Sequence, residues 1–152
     1  MVRRLMSGLR KVCPVVLRRT ATRTEILAFR HPIAGCQLVK GTIEGTETIQ
    51  HAAQRELFEE SGIAGVAICY LGAVQVAEPE QEWHFVICKV GQLAETWTHQ
   101  TSDGGGLDFE FFWHPIKDEP NETWHPIFKQ ALAFIVQHIP PGHRSGIDPM
   151  LK

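Results

Sequence analysis

The chain has 152 residues, 43% hydrophobic and 21% charged, which suits one domain with one buried core. A formal net charge of −2 gives no global field to attract nucleic acid or a membrane surface. Cys13, Cys36, Cys69 and Cys88 form no CxxC pair and no zinc-ligand spacing, so they read as reduced core thiols of a cytoplasmic protein. No apolar stretch is long enough for a signal peptide or a membrane span.

Residues 1–11 read as a loose basic leader, residues 12–140 as one α/β domain, and residues 141–152 as an irregular tail. Arg3, Arg4, Arg10, Lys11, Arg18, Arg19 and Arg23 all precede the first acidic residue, Glu25. They form either a basic arm for RNA or an anionic substrate or, the preferred reading, a solvated leader and an exposed strand face. Cys13 to Arg19 and Glu25 to Phe29 are runs of strand formers around Thr20-Ala21-Thr22-Arg23, and predict a hairpin. Cys36 to Lys40 predicts a further short strand.

From Thr48 to Ser61 the pattern turns helical, with Ile49, Ala53 and Leu57 four residues apart. Thr48 is placed to cap the N-terminus, and Gly62 to close the C-terminus in a left-handed conformation. Val66 to Val76, Trp83 to Val90 and Phe109 to Trp113 predict strands from their β-branched and aromatic content. An acidic loop around Pro79 and a flexible one at Asp103-Gly104-Gly105-Gly106 separate them. Thr123 to His138 predicts a closing helix with Phe128, Leu132, Ile135 and Val136 inward. Strands with two helices imply a layered domain, a helix on each side of a mixed sheet.

Gly41 to Ile63 carries the chemistry. Glu56, Glu59 and Glu60 stand at i, i+3 and i+4, three carboxylates on one helix face. Like charges at this spacing cost roughly 0.2–0.5 kcal/mol per pair. The last turn of a helix also prefers cations. Only Arg55 is near enough to pair, with Glu59 one turn on. Two readings of the helix stand side by side: a divalent-cation site, or an acidic surface patch. Hard oxygen ligands suit Mg²⁺ or Mn²⁺, and the absence of nitrogen and sulfur disfavours zinc.

The whole segment resembles the Nudix box: Gly, five residues, Glu, seven residues, Arg-Glu, an aliphatic, any residue, Glu-Glu, any residue, Gly, an aliphatic. The matching residues are Gly41, Glu47, Arg55-Glu56, Leu57, Glu59-Glu60, Gly62 and Ile63, without gap or substitution. Seven fixed identities would coincide by chance on the order of once in 10⁸ placements. The resemblance implies a Nudix-type α/β/α sandwich and a pyrophosphohydrolase using Mg²⁺, with Mn²⁺ as a substitute, on a diphosphate bond in a nucleotide-like molecule.

Carried over residue by residue, the resemblance makes Glu56, Glu59 and Glu60 metal ligands, with the Gly41 carbonyl as a further one. Glu59, Arg55 and Glu56 become the catalytic candidates. Glu47 and Arg55 resemble the family's scaffolding pair, and Gly62 serves backbone geometry. Lys40, before the box glycine, either meets a polyphosphate or is merely solvated; Arg30 and His31 are candidates for phosphate contact. The general base stays open between Glu59, the first choice, and Glu78, Glu80, Glu82 or Glu110 outside the box.

One of Trp83, Phe85, Trp97, Phe111, Trp113 and Trp124 is expected to stack on substrate, the rest being core. A nucleoside triphosphate, dinucleoside polyphosphate or nucleotide sugar is favoured over RNA, because only the N-terminus offers a basic surface. The alternatives are an RNA 5′-end pyrophosphohydrolase and a non-catalytic nucleotide-sensing module. Family members are often homodimers, but no dimer face is visible in the sequence.

Overall fold

The computed structural model of the chain describes residues 9–76, 80–101 and 106–141. Strand β1 (Leu9–Val15) begins within the stretch read as leader, and the chain changes partners at its end. β1 lies parallel to β7 (Gln81–Lys89), with Val12 opposite His84, while β2 (Leu17–Arg19) pairs antiparallel with β3 (Thr24–His31). The stretch from Cys13 to Arg19, expected as one strand, is therefore divided between two sheets. Val16 is the crossing point; its carbonyl accepts from Leu27 N at 2.9 Å. The predicted hairpin survives as β2–β3, with Leu17 opposite Ile26.

The first sheet is mixed, in the order β5 (Gly41–Thr42), β1, β7, β6 (Val66–Val76). The second is antiparallel, in the order β2, β3, β9 (Asp108–Pro115), β8 (Trp97–Gln100), with β4 (Gly35–Gln37) also on β3. The α/β layering is as expected, with the sheet delivered as two. β5 and β8 were not anticipated, and β4 stops at Gln37, short of Lys40. Edge strand β6 shifts register against β7 twice, between Ala67 and Cys69 and between Tyr70 and Gly72. Such bulges twist an exposed edge away from further pairing.

Helix α1 (Ile49–Ser61) is capped as predicted: the Thr48 side chain accepts from His51 N, and Gly62 closes the helix at φ +81°. Helix α2 (Pro126–His138) starts three residues later than Thr123, because Pro126 fixes the first helical position and His125 supplies the cap. Phe128, Ala131, Leu132 and Ile135 are its buried residues, with Val136 partly buried at the margin.

Successive strand residues feed opposite faces. Cys13, Val15, Ile26, Ala28, Trp83, Phe85 and Ile87 pack under α2. Val12, Leu27, Phe29, Val86, Cys88, Phe109 and Phe111 pack under α1 with Ala52, Ala53 and Leu57. Strands buried on both faces are what a helix–sheet–helix layering requires. All four cysteines are free thiols, three buried and Cys69 half-buried. Burial pushes the Cys88 thiol up to about 11 and Cys13 higher still, so neither is a ready nucleophile. Among the described residues no helix is long and apolar enough to cross a membrane.

Candidate active site

The loop before α1 is built around one guanidinium. Arg55 Nε donates to Glu47 Oε2 at 2.6 Å and Nη2 to Glu47 Oε1 at 2.9 Å, a bidentate fork. Nη2 also donates to the Thr42 carbonyl at 2.9 Å. Nη1 reaches Glu56 Oε2 at 2.9 Å and Glu59 Oε1 at 3.2 Å. One side chain thus ties the loop to the helix and two helix carboxylates to each other. Glu47 returns a contact to the loop by accepting from Glu44 N at 3.0 Å. The Arg55 guanidinium holds the Glu47 carboxyl down at about 2, and Arg55 itself is held further above its ordinary value.

Gly41 is required by close approach. A side chain there would overlap the Glu56 carboxylate, which lies directly against the glycine backbone. Glu56 and Glu60 are buried, 6% and 8% exposed, whereas the Glu59 side chain is 47% exposed. Lys40 completes the cluster. Its ammonium stands 5.3 Å from the centre of the Trp83 ring. Burial lowers its pKa, assisted by Lys11 and opposed by the charges of Glu60 and Glu56. Lys11 itself donates to Thr42 Oγ1 at 2.7 Å, across the β1–β5 pair.

These donors fit a hard divalent cation. All are oxygens, and the space over Gly41 is kept open for the Glu56 carboxylate alone. Among the described residues no three side chains of His, Cys, Asp or Glu converge closely enough to hold a metal unaided. Mg²⁺ does not require this, since it takes one or two carboxylates and completes its shell with waters and substrate phosphates.

His31 is occupied locally, its Nδ1 accepting from Ile33 N and Ala34 N at 3.0 Å each. Arg30 lies over the Phe112 ring at 4.3 Å, on the opposite strand face from Phe29, which packs toward α1. Glu80 accepts from Gln75 Nε2 at 3.3 Å. Glu82 contacts His84 Nε2 at 3.2 Å and Arg10 at 3.7 Å. Glu110 alternates away from Phe109 and Phe111, which pack toward α1. Glu78 lies outside the described residues, as do Arg3 and Arg4.

The remaining N-terminal cations have carboxylate or backbone partners rather than an open basic face. Arg18 pairs with Glu25 and Glu95, Arg23 with Glu25, and Arg19 bonds the Thr20 carbonyl. Of the six aromatics, Trp83, Phe85, Phe111 and Trp124 are buried. Trp113 carries Arg18 over its ring at 4.3 Å. Trp97 stacks on Phe111 at 5.1 Å and donates to the Ser61 carbonyl at 3.1 Å. Its neighbour His99 touches the Glu59 carbonyl at 3.2 Å. Neither contact was visible in the sequence, where Trp97 to Gln100 carries no strand signal.

Known structures share this fold. Among solved structures, a UDP-X diphosphatase superposes with TM-score 0.64 at 15% identity, over 86% of this chain and 62% of its own length. A MutT NUDIX hydrolase from Burkholderia pseudomallei gives TM-score 0.64 at 17% identity, covering 85% and 98% of the two chains. The Ap4A hydrolase of C. elegans gives 0.59 at 16%, covering 84% and 93%. At these identities the likeness concerns the fold. No curated protein sequence matches the chain. The family model for the NUDIX domain matches residues 9–133, most of the chain, and the chain therefore belongs to the NUDIX family.

Proposed function

We propose that the chain is a Mg²⁺-dependent pyrophosphohydrolase acting on a small nucleoside diphosphate linked to another group. The observation that carries this reading is the Arg55 hub: one guanidinium holds Glu47, Glu56 and Glu59 around a glycine against which the Glu56 carboxylate is seated. A buried cluster of like charges is costly unless it has a cationic partner. Arg55 and the nearby Lys40 bring two positive charges to the four carboxylates Glu47, Glu56, Glu59 and Glu60, which leaves the cluster suited to a further cation.

Glu56, Glu59 and Glu60 would hold the cation, with Mn²⁺ as a substitute and the Gly41 carbonyl as a further ligand. Bound there, a divalent ion supplies charge neutralisation on the diphosphate oxygens and makes water easier to deprotonate. Glu59 is the best placed of the three to accept a proton, because its side chain is the most exposed and the one reachable from solvent. Arg55 orients Glu56 and Glu59 rather than reacting. Lys40, desolvated beside Trp83, offers a positive charge to a phosphate next to the carboxylates.

The substrate class rests on two supports. Two of the similar structures are named for small nucleotides, a UDP-X diphosphatase and an Ap4A hydrolase. The described arginines of the N-terminal segment are engaged internally, which leaves little for an RNA backbone. Phosphate and nucleoside-monophosphate release should be measured on a panel of nucleoside triphosphates, dinucleoside polyphosphates, nucleotide sugars and 5′-triphosphorylated RNA with Mg²⁺. Hydrolysis of one small-nucleotide class, lost in Glu59→Gln, supports the proposal. Turnover of RNA alone overturns the substrate class, and nucleotide binding without turnover overturns the enzyme.

A further inference from the structure

We infer that β8 acts as a clasp on the C-terminal turn of α1, and that Trp97 and His99 are positioning residues for Glu59 and Glu60. This inference rests on the proposed metal-dependent reading of the carboxylate cluster.

A helix ends with backbone carbonyls that have no partner along the helix. In α1 three of the last four, those of Phe58, Glu59 and Ser61, meet donors, and the Leu57 carbonyl takes a side-chain donor besides. The Leu57 carbonyl accepts from Ser61 Oγ at 2.6 Å and the Phe58 carbonyl from Gly62 N at 2.9 Å. The Glu59 carbonyl meets His99 Nε2 at 3.2 Å, and the Ser61 carbonyl accepts from Trp97 Nε1 at 3.1 Å. A carbonyl only accepts, so His99 Nε2 carries a proton. Two of the partners are local to the helix, and the other two come from β8, 36 and 40 residues away.

The fit is close on both sides. A methyl group on Gly62 would stand 3.0 Å from His99 Nδ1, so the imidazole lies on the bare face of the capping glycine. The Trp97 ring is fixed from behind by Phe111, stacked at an interplanar angle of 7°. β8 is registered on β9, with Trp97 opposite Phe111 and His99 opposite Phe109. The clasp is therefore anchored to the second sheet, while the turn that it grips carries Glu59 and Glu60. α1 has no basic residue in its last turn, so these donors also supply the positive end that the helix dipole favours there.

Substitutions can separate the hydrogen bonds from the packing. Trp97→Phe removes the indole donor and keeps a ring against Phe111; His99→Ala removes the imidazole, and His99→Gln restores an N–H. Mn²⁺ affinity by electron paramagnetic resonance, kcat and KM on the substrate found above, and the thermal midpoint are measured for each. Losing one outer hydrogen bond should weaken Mn²⁺ binding by about fivefold to tenfold and lower kcat, with KM nearly unchanged. His99→Gln should recover most of the loss.

Mn²⁺ affinity and kcat within about twofold of wild type in both Trp97→Phe and His99→Ala, against a clear loss in Glu59→Gln, would overturn the clasp alone. A lowered thermal midpoint with unchanged Mn²⁺ affinity would do the same, showing helix capping without positioning. Failure of the wild-type chain to bind Mn²⁺ overturns the metal reading and this inference together.

Discussion

Replacement of Arg55 tests the hub on which the active-site reading depends. Its guanidinium makes five hydrogen bonds to four groups: two to Glu47, and one each to the Thr42 carbonyl, Glu56 and Glu59. Charge-assisted bonds contribute about 1.5–3 kcal/mol each, but they share one donor and are not additive. The Arg55 side chain is 20% exposed, and the outermost partner, Glu59, is 47% exposed, so solvent screening removes part of the gain. Arg55→Ala also leaves the buried Glu56 carboxylate without a guanidinium. A net loss of about 3 kcal/mol follows. For a domain of this size that is roughly 6–12 °C in thermal midpoint.

Arg55→Lys is the sharper variant. It preserves the charge and removes the planar fork, and an ammonium cannot meet both Glu47 oxygens and the two helix carboxylates at once. At least half of the loss, about 1.5 kcal/mol, should persist in urea unfolding at pH 7. Hydrolysis should fall by about 10-fold to 100-fold, because Glu56 and Glu59 lose their common tether. Stability of Arg55→Lys within about 0.5 kcal/mol of wild type would refute the argument. It would show that charge alone, rather than the directed fork, holds the loop to the helix.

Gly41→Ala forces the Glu56 carboxylate to move, and activity should fall by about 100-fold or more while far-UV circular dichroism is kept; near-native kcat would show that Glu56 is not needed at that position. Gly62→Ala places a side chain at φ +81° and against His99, and should cost about 1–2 kcal/mol in urea unfolding. Thr48→Ala removes the cap on His51 N and should cost about 1 kcal/mol in the same assay.

Glu47 gives a pH signature: a carboxyl held at about 2 against an ordinary 4.5 stabilises the fold fully above 4.5 and loses this as pH falls toward 2. The loss should be on the order of 2 kcal/mol after screening, and Glu47→Gln should abolish that part of the acid dependence.

What the sequence showed and what it hid divide along a physical line. The box was legible because its chemistry is local. Four carboxylates, an arginine and two glycines must keep fixed spacing on one loop and one helix, and Thr48 and Gly62 mark that helix by their own backbone preferences. The strand patterns of β6, β7 and β9 were legible for a similar reason, being long runs whose side chains fill core faces.

The division at Val16 was not legible, because an apolar run does not record which strand its backbone will pair with. The local role of His31 was not legible either: its Nδ1 accepts from Ile33 N and Ala34 N and so closes the turn. β8 was hidden for the opposite reason. Trp97-Thr98-His99-Gln100 has one apolar residue in four, so it carries no strand pattern. Its place is set by Trp97 on Phe111 and by hydrogen bonds to a helix end far away in sequence. A motif can be recognised from residues that approach the reaction, whereas the groups that hold those residues still are recruited wherever the fold brings a donor to an open carbonyl. In this chain that closure falls at the turn bearing Glu59 and Glu60, the carboxylates proposed to hold the cation.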